Sequence, residues 1–375
     1  MMDLLSIGAS GVRAFQAALS VTGDNVANAD TPGYVRRSLT LATLARGAGT
    51  ALERDASGGS GVRADRLARA GDALKASAAR TAASDESRLT ARLAWLERLE
   101  SETANANLSG RIGALFDAGT DLAASPTSMA ARTLFLASLD SVVGGFNSLA
   151  GNLQRLDEDV AAQIDARLDE ANRLGGALAR LNGEIRRTAA DTSAALGLAD
   201  TRDRLLADLA GLVRISVSEG PKGEAIVRLG TGPMAPLLVG ETGAAVAIGV
   251  NNSGAAPELV LNPSFDPQPL RLPASGGIAG LMEAGRRIAA ARNDLDEEAS
   301  RLADAINRWQ ADGVDFQGDP GQPMLNTMAL AVTGGRANAG TATPDVALAD
   351  GAVLAPDGYQ LLADASGFTL MRRDG

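Results

Sequence analysis

VANADTPGYVRR (26–37) closes the first helical stretch of the chain and decides how the rest is read. Thr31-Pro32-Gly33-Tyr34 carries the type II turn pattern, with Pro at the second position and Gly at the third, where a positive φ is needed. Asn25, Asn28 and Asp30 precede it, and Asn tolerates the left-handed backbone that ends helices. Upstream, residues 3–29 read as one helix. Leu5, Val12, Leu19 and Val26 recur every seven residues, and Phe15 occupies a d-type position between two of them. That is a heptad seam, weakened by Gly8 and Thr22 at other d-type positions. A helix of this kind is marginal alone and needs a partner. An ordinary amphipathic core helix satisfies the same periodicity. The terminal position, with no compact segment beside it in sequence, favours a helix kept for assembly.

Downstream, residues 34–80 read as an extended linker. SLTLATLA (38–45) alternates as a strand does, SGGSGV (57–62) is a flexible break, and RADRLARAGDALK (63–75) reads as a basic, solvated linker face without aromatic residues. From 81 to 211 the period is helical. Leu89, Leu93, Leu96 and Leu99 share one face beside Trp95, and ANANLSGR (104–111) breaks the helix. Ser125-Pro126-Thr127 starts a second helix with Leu134, Leu136, Leu139 and Val143 as its core. A third, at 149–190, carries Leu153, Leu156, Val160, Ile164, Leu168, Leu174, Leu178, Leu181 and Ile185. Its length suits a rod-like bundle. A short helix covers 196–212. At 213 the period switches to two, and short strands separated by Gly, Pro and Asn continue to about 275. Helix returns at 277–311, a turn-rich loop follows at 312–325, and 326–375 is again β-like.

The expected fold is therefore mainly α with β insertions: elongated and multi-domain, with an N-terminal coiled-coil-type helix, a long-helix bundle and small outer β regions. The expected divisions are 1–33 core helix and turn, 34–80 linker, 81–211 first helical part, 212–275 β region, 276–325 second helical part, and 326–375 an incomplete outer β domain.

Composition excludes more than it names. Aromatic residues are 3% of the chain against 45% hydrophobic, so the apolar content is chiefly Ala, Leu and Val, which favours helix. The formal net charge of −10 lacks the basic footprint of a nucleic-acid binder. Without Cys or His, thiol nucleophiles, disulfides, imidazole triads and zinc sites of the usual ligand sets are ruled out. No apolar run approaches the roughly 18 residues of a membrane span, and the N-terminus, with Asp3 and no basic region, is not a Sec signal. No P-loop or S-x-x-K pattern occurs. LGTGPM (229–234) reads as a hairpin turn. Asp312, Asp315 and Asp319 lack calcium-loop spacing and read as turn formers. Neither an enzyme nor a cofactor or metal site is expected.

IGASGVRAFQAALSVTGDNVANADTPGYVRR (7–37) resembles the N-terminal signature of the flagellar axial proteins, the rod, hook and hook-associated family. LADTRDRLLADLAGLVRISVSEG (198–220), GGIAGLMEAGRRIAAARNDLDEEASRLADAINRWQADGVDFQGDPGQPML (276–325) and GYQLLADASGFTLMRRDG (358–375) resemble, in order, segments of its hook-associated branch, which joins hook to filament. The resemblance implies a structural protein of the bacterial flagellum that assembles through Leu5, Val12, Phe15, Leu19 and Val26, with Asn28, Thr31, Pro32, Gly33 and Tyr34 as the family's turn motif. It implies a ring formed with copies of itself, contacts to the hook protein and to a second junction protein, and an export chaperone. It further implies an extracellular location reached through the flagellar type III channel without a cleaved signal, with no nucleic acid and no membrane insertion. The family pairs its first helix with a second, C-terminal one that this sequence does not reach, so a truncated sequence is expected, with the chaperone's site beyond it. The alternatives are another axial protein, a hook or distal-rod subunit, and, from a different class, a secreted surface-binding adhesin module.

Overall fold

The computed structural model describes residues 2–31, 33–44, 61–190, 192–232, 234–251, 258–264, 267–270, 275–315, 317–326, 359–364 and 367–372. The chain forms α1 (Met2–Ala27), β1 (Arg37–Thr43), β2 (Val62–Arg69), α2 (Ala73–Ala106), α3 (Leu108–Ala124), α4 (Met129–Arg187), α5 (Ser193–Leu212), β3 (Ile215–Glu219), β4 (Ala225–Leu229), β5 (Leu237–Val239), β6 (Ile248–Asn251), β7 (Glu258–Leu261), β8 (Gln268–Pro269), α6 (Gly277–Ala311), β9 (Tyr359–Asp364) and β10 (Gly367–Arg372). It is mainly α with small β insertions. It divides into two units: residues 1–87, 168–248 and 271–277 form the first, and residues 88–167, 249–270 and 278–375 the second.

In the first unit, β1 and β2 pair antiparallel from Arg37 opposite Arg69 to Thr43 opposite Val62, with a bulge after Thr40. The segment expected as linker therefore contains a hairpin. Its alternating Leu39, Leu41 and Leu67 give one face enough apolar character to be covered, and α2 already begins at Ala73. A three-stranded antiparallel sheet in the order β3-β4-β5 lies further on. Between β4 and β5, Gly230 and Gly232 take φ of 95° and 96°; Pro233 of LGTGPM lies outside the described residues. Leu174, Leu178, Leu206, Leu209, Val227, Leu229 and Leu238 are buried in this unit. Thr192 caps α5 by accepting the Ala195 N–H at 3.1 Å.

The second unit is a helix bundle. Leu115, Ala118, Phe135, Leu139, Val142 and Ile306 form one cluster, with Met324 and Leu325 packed against it. Phe135 lies 5.7 Å from Trp309, centroid to centroid, and the Trp95 indole N–H donates to Gln163 at 2.8 Å. A short sheet, β6-β7-β8, and the hairpin β9-β10 complete it. Asp315 Oδ1 accepts the N–H groups of Gln317 and Asp319 at 2.7 and 3.0 Å, so that aspartate makes a turn.

Several expectations are corrected. The break at 104–111 narrows to Asn107 alone, in the left-handed region with φ of 46°. The second and third expected helices are one continuous α4 of 59 residues. Gly144-Gly145 inside it does not interrupt the helix. A Cβ at Gly145 would lie 2.8 Å from Arg111 Cδ and 3.0 Å from Leu108 Cδ2, so the missing side chain admits α3. Leu134 and Leu136, expected in the core, are each 54% exposed, and Leu89 and Leu93 are exposed as well. Val142 rather than Val143 is the buried valine. By length and composition, Leu4–Ala27 and Met129–Arg187 are long and apolar enough to cross a membrane, where none was expected. In α4 the apolar stripe from Leu153 to Ile185 is buried within the protein. Residues 327–358, most of the expected outer β domain, lie outside the described residues, as do Pro32 and residues 45–60.

Candidate functional site

The two faces of α1 differ in kind. Ile7, Ser10, Gly11, Ala14, Ala17, Val21 and Asn25 recur at three- and four-residue steps and turn towards the hairpin, and Ala14 is only 2% exposed. Small residues let the backbones approach closely. Ser10 Oγ donates to the Ile7 carbonyl at 2.7 Å and accepts the Val62 N–H at 3.1 Å. Gly61, with φ of 119°, has no room for a Cβ, which would lie 2.2 Å from Ser10 Oγ.

The other face carries the seam. Leu5, Val12, Phe15, Leu19 and Val26 are 58–79% exposed, with Leu4 beside them. Six large apolar side chains in one stripe, on a helix whose opposite face is already docked, make an exposed apolar patch of the kind that marks an interaction surface.

The end of α1 is built in layers. Asn28 Nδ2 donates to the Asp24 carbonyl at 2.9 Å, and its backbone N–H returns to the same oxygen at 3.0 Å. The Thr31 N–H bonds the Asn28 carbonyl, and the Tyr34 N–H closes the turn on the Thr31 carbonyl at 3.1 Å. Gly33 has φ of 80°, which the third position of a type II turn requires. Thr31 Oγ1 approaches Asn28 Oδ1 at 3.4 Å. The structure thus brings Asn28, Thr31, Gly33 and Tyr34 into one turn; Pro32 lies outside the described residues.

Asn25 closes this turn onto the hairpin. Its Nδ2 donates to the Arg37 carbonyl and its Oδ1 accepts the Arg37 N–H, both at 2.8 Å, while the Tyr34 hydroxyl donates to Oδ1 at 3.0 Å. The Arg37 guanidinium lies 5.1 Å from the Tyr34 ring centroid, in cation–π range. It reaches Asp200 of α5 at 3.1 Å and Ser193 at 3.2 Å. Arg69 bridges Asp200 at 2.9 Å and Asp203 at 2.6 Å, and Arg202 pairs with Asp203 and Glu219. Burial works against the Arg202 charge, but Asp203 and Glu219 outweigh it and hold its pKa above the ordinary value. Asn25, Arg37, Arg69 and Asp200 were missed as site residues by sequence reading. A polar Asn on the small inward face was the one available signal; nothing in sequence spacing joins Arg37 to Asp200.

Among the described residues no group of His, Cys, Asp or Glu is placed to hold a metal ion. In the second unit an open cleft of about 1040 Å³ is floored by Leu96, Leu99, Phe146, Leu149, Leu153 and Leu295.

Comparison with known proteins places the sequence among flagellar components. The family model of the flagellar hook-associated protein FlgK helical domain matches residues 93–325, more than half of the chain. The flagella basal body rod protein model matches residues 5–34. Flagellar hook-associated protein 1 of Escherichia coli K12 is 26% identical over 382 residues, covering 99% of this chain and 69% of that protein. Its counterpart from Salmonella typhimurium is 25% identical, covering 99% and 68%. The structure of the flagellar hook junction protein FlgK from Burkholderia pseudomallei shares the fold, with a TM-score of 0.60 and 23% identity, covering 80% of this chain and 55% of that one. The chain spans about two thirds of these curated relatives and just over half of the solved structure.

Proposed function

The chain belongs to the family of the flagellar hook-associated protein FlgK helical domain, and from that premise we propose that it is the hook-associated protein 1 of its flagellum, a structural, non-enzymatic subunit of the hook–filament junction. α1 is the assembly helix. Its exposed stripe of Leu5, Val12, Phe15, Leu19 and Val26 packs against helices of neighbouring copies in a ring, and the Asn28–Tyr34 turn sets where the chain leaves that inner layer. The hook protein lies on one side of the ring and the second junction protein on the other. The subunit travels through the flagellar type III channel without a cleaved signal, escorted by a chaperone, and neither inserts in a membrane nor binds nucleic acid.

The observation that carries this reading is the contrast between the two faces of α1: small residues seated on the hairpin, large apolar residues left to solvent. A core helix would bury the large ones first, because each buried Leu or Phe is worth about 1.5–3 kcal/mol. The test introduces Val12→Asp and Leu19→Asp into the complete gene in motile cells. Both side chains are exposed, so the purified variant is expected to melt with the parent, within about 0.5 kcal/mol. Hooks are expected to lack the junction and filaments to be shed into the medium. Normal junctions on isolated hook–basal bodies would sink the assignment.

A further inference from the structure

Among the described residues, four helical asparagines share one act. Asn25 pairs with both backbone groups of Arg37, Asn172 with both of Ile248 at 2.8 and 2.9 Å, Asn182 with both of Ala225 at 2.8 and 2.9 Å, and Asn307 with both of Leu325 at 2.8 and 2.9 Å. In each case the carboxamide stands in for a peptide group and presents one donor and one acceptor, as a neighbouring strand would. The device fixes a residue's backbone against a helix in both position and rotation, because two antiparallel bonds from one rigid plane leave little freedom.

Asn25 differs from the other three in what it holds. It sits two residues from the end of α1, and its oxygen also takes the Tyr34 hydroxyl. The residue it clamps, Arg37, opens β1 and reaches Asp200 in α5. One carboxamide therefore ties the assembly helix, the turn and the hairpin together, with the Arg37–Asp200–Arg69 pairs continuing into α5.

We propose that Asn25 is the positioning residue of the assembly helix: its clamp on Arg37 and Tyr34 fixes the direction and rotation with which α1 leaves the hairpin, and so where the apolar stripe faces in the assembled ring. The inference rests on the reading of α1 as the assembly helix. Asn25 need not touch a neighbouring subunit to control assembly. Without the clamp, α1 stays a helix and keeps its stripe, but presents it over a range of angles.

The chain has no cysteine, so Ser20→Cys on α1 and Ala207→Cys on α5 give two unique sites for spin labels in the full chain. The distance between the labels, measured by pulsed electron resonance, reads the pose of α1 directly. Assembly is scored separately, on unlabelled variants in motile cells. The parent is expected to give a narrow distribution. Asn25→Ala is expected to broaden it and to lose the junction while helical content stays unchanged. Val12→Asp is expected to keep the narrow distribution and also lose the junction. A narrow distribution in Asn25→Ala overturns the proposal, and so does a broad one accompanied by normal junctions. Normal assembly of Val12→Asp instead removes the assembly reading, which separates the two failures. Should Asn25→Ala not fold, Asn25→Asp and Tyr34→Phe decide by the same readouts. Asp keeps the acceptors and loses the donor to the Arg37 carbonyl, and Phe loses only the hydroxyl. Unchanged distances in both would overturn the clamp.

Discussion

Gly33 is held at φ of 80°, a region where a Cβ is strained, and a Cβ there would also lie 2.4 Å from Arg204 Cγ. Gly33→Ala is therefore expected to destabilise the first unit by about 1–3 kcal/mol, read as a lower urea midpoint, with faster amide exchange at Tyr34 as the local mark. An unchanged midpoint and exchange rate would show that the turn has another conformation. The motif was legible at this scale because turn chemistry is local: Pro-Gly specifies a backbone shape whatever surrounds it. Asn25 was legible only as a helix-ending residue. Its partner is twelve positions away, and its role depends on the hairpin being where it is.

At the scale of elements, α4 shows what periodicity reads well and what it reads poorly. Every apolar position from Leu153 to Ile185 that the 3.6-residue period marks is buried. Leu134 and Leu136, two apart, do not face the same way; Phe135, four residues before Leu139, takes the buried position, and both leucines stay exposed. Leu178→Ala, at a side chain with no exposure, is expected to cost about 2–5 kcal/mol through lost burial and the cavity left behind. Leu136→Ala, half in solvent, is expected to change stability by less than about 0.5 kcal/mol. Chemical denaturation of the two variants checks the contrast; equal losses would mean that Leu136 is covered in solution. The small-residue face of α1 escaped notice for a related reason. Ala and Gly give a weak hydrophobic signal, yet they allow the closest approach, so the docked face was the quiet one and the loud heptad was left outside.

For the molecule as a whole, the sequence has no thiol to form a disulfide and no imidazole to bind a metal, and the described residues form no metal-holding group. Chelator and thiol reductant are expected to leave thermal melting unchanged; a drop in melting temperature with EDTA would reveal a structural cation. The sequence by itself determined the helical class, the long apolar stripe of α4, the turn at Thr31–Tyr34 and the candidate assembly seam, because propensity, period and turn chemistry act over a few residues. Only the tertiary structure decided that Arg37–Thr43 and Val62–Arg69 pair beneath α1, that Gly145 admits α3, and that Asn25, Arg37 and Asp200 form one clasp. Those outcomes depend on which distant surfaces meet, and contacts between residues more than a hundred positions apart leave no periodic trace in the chain.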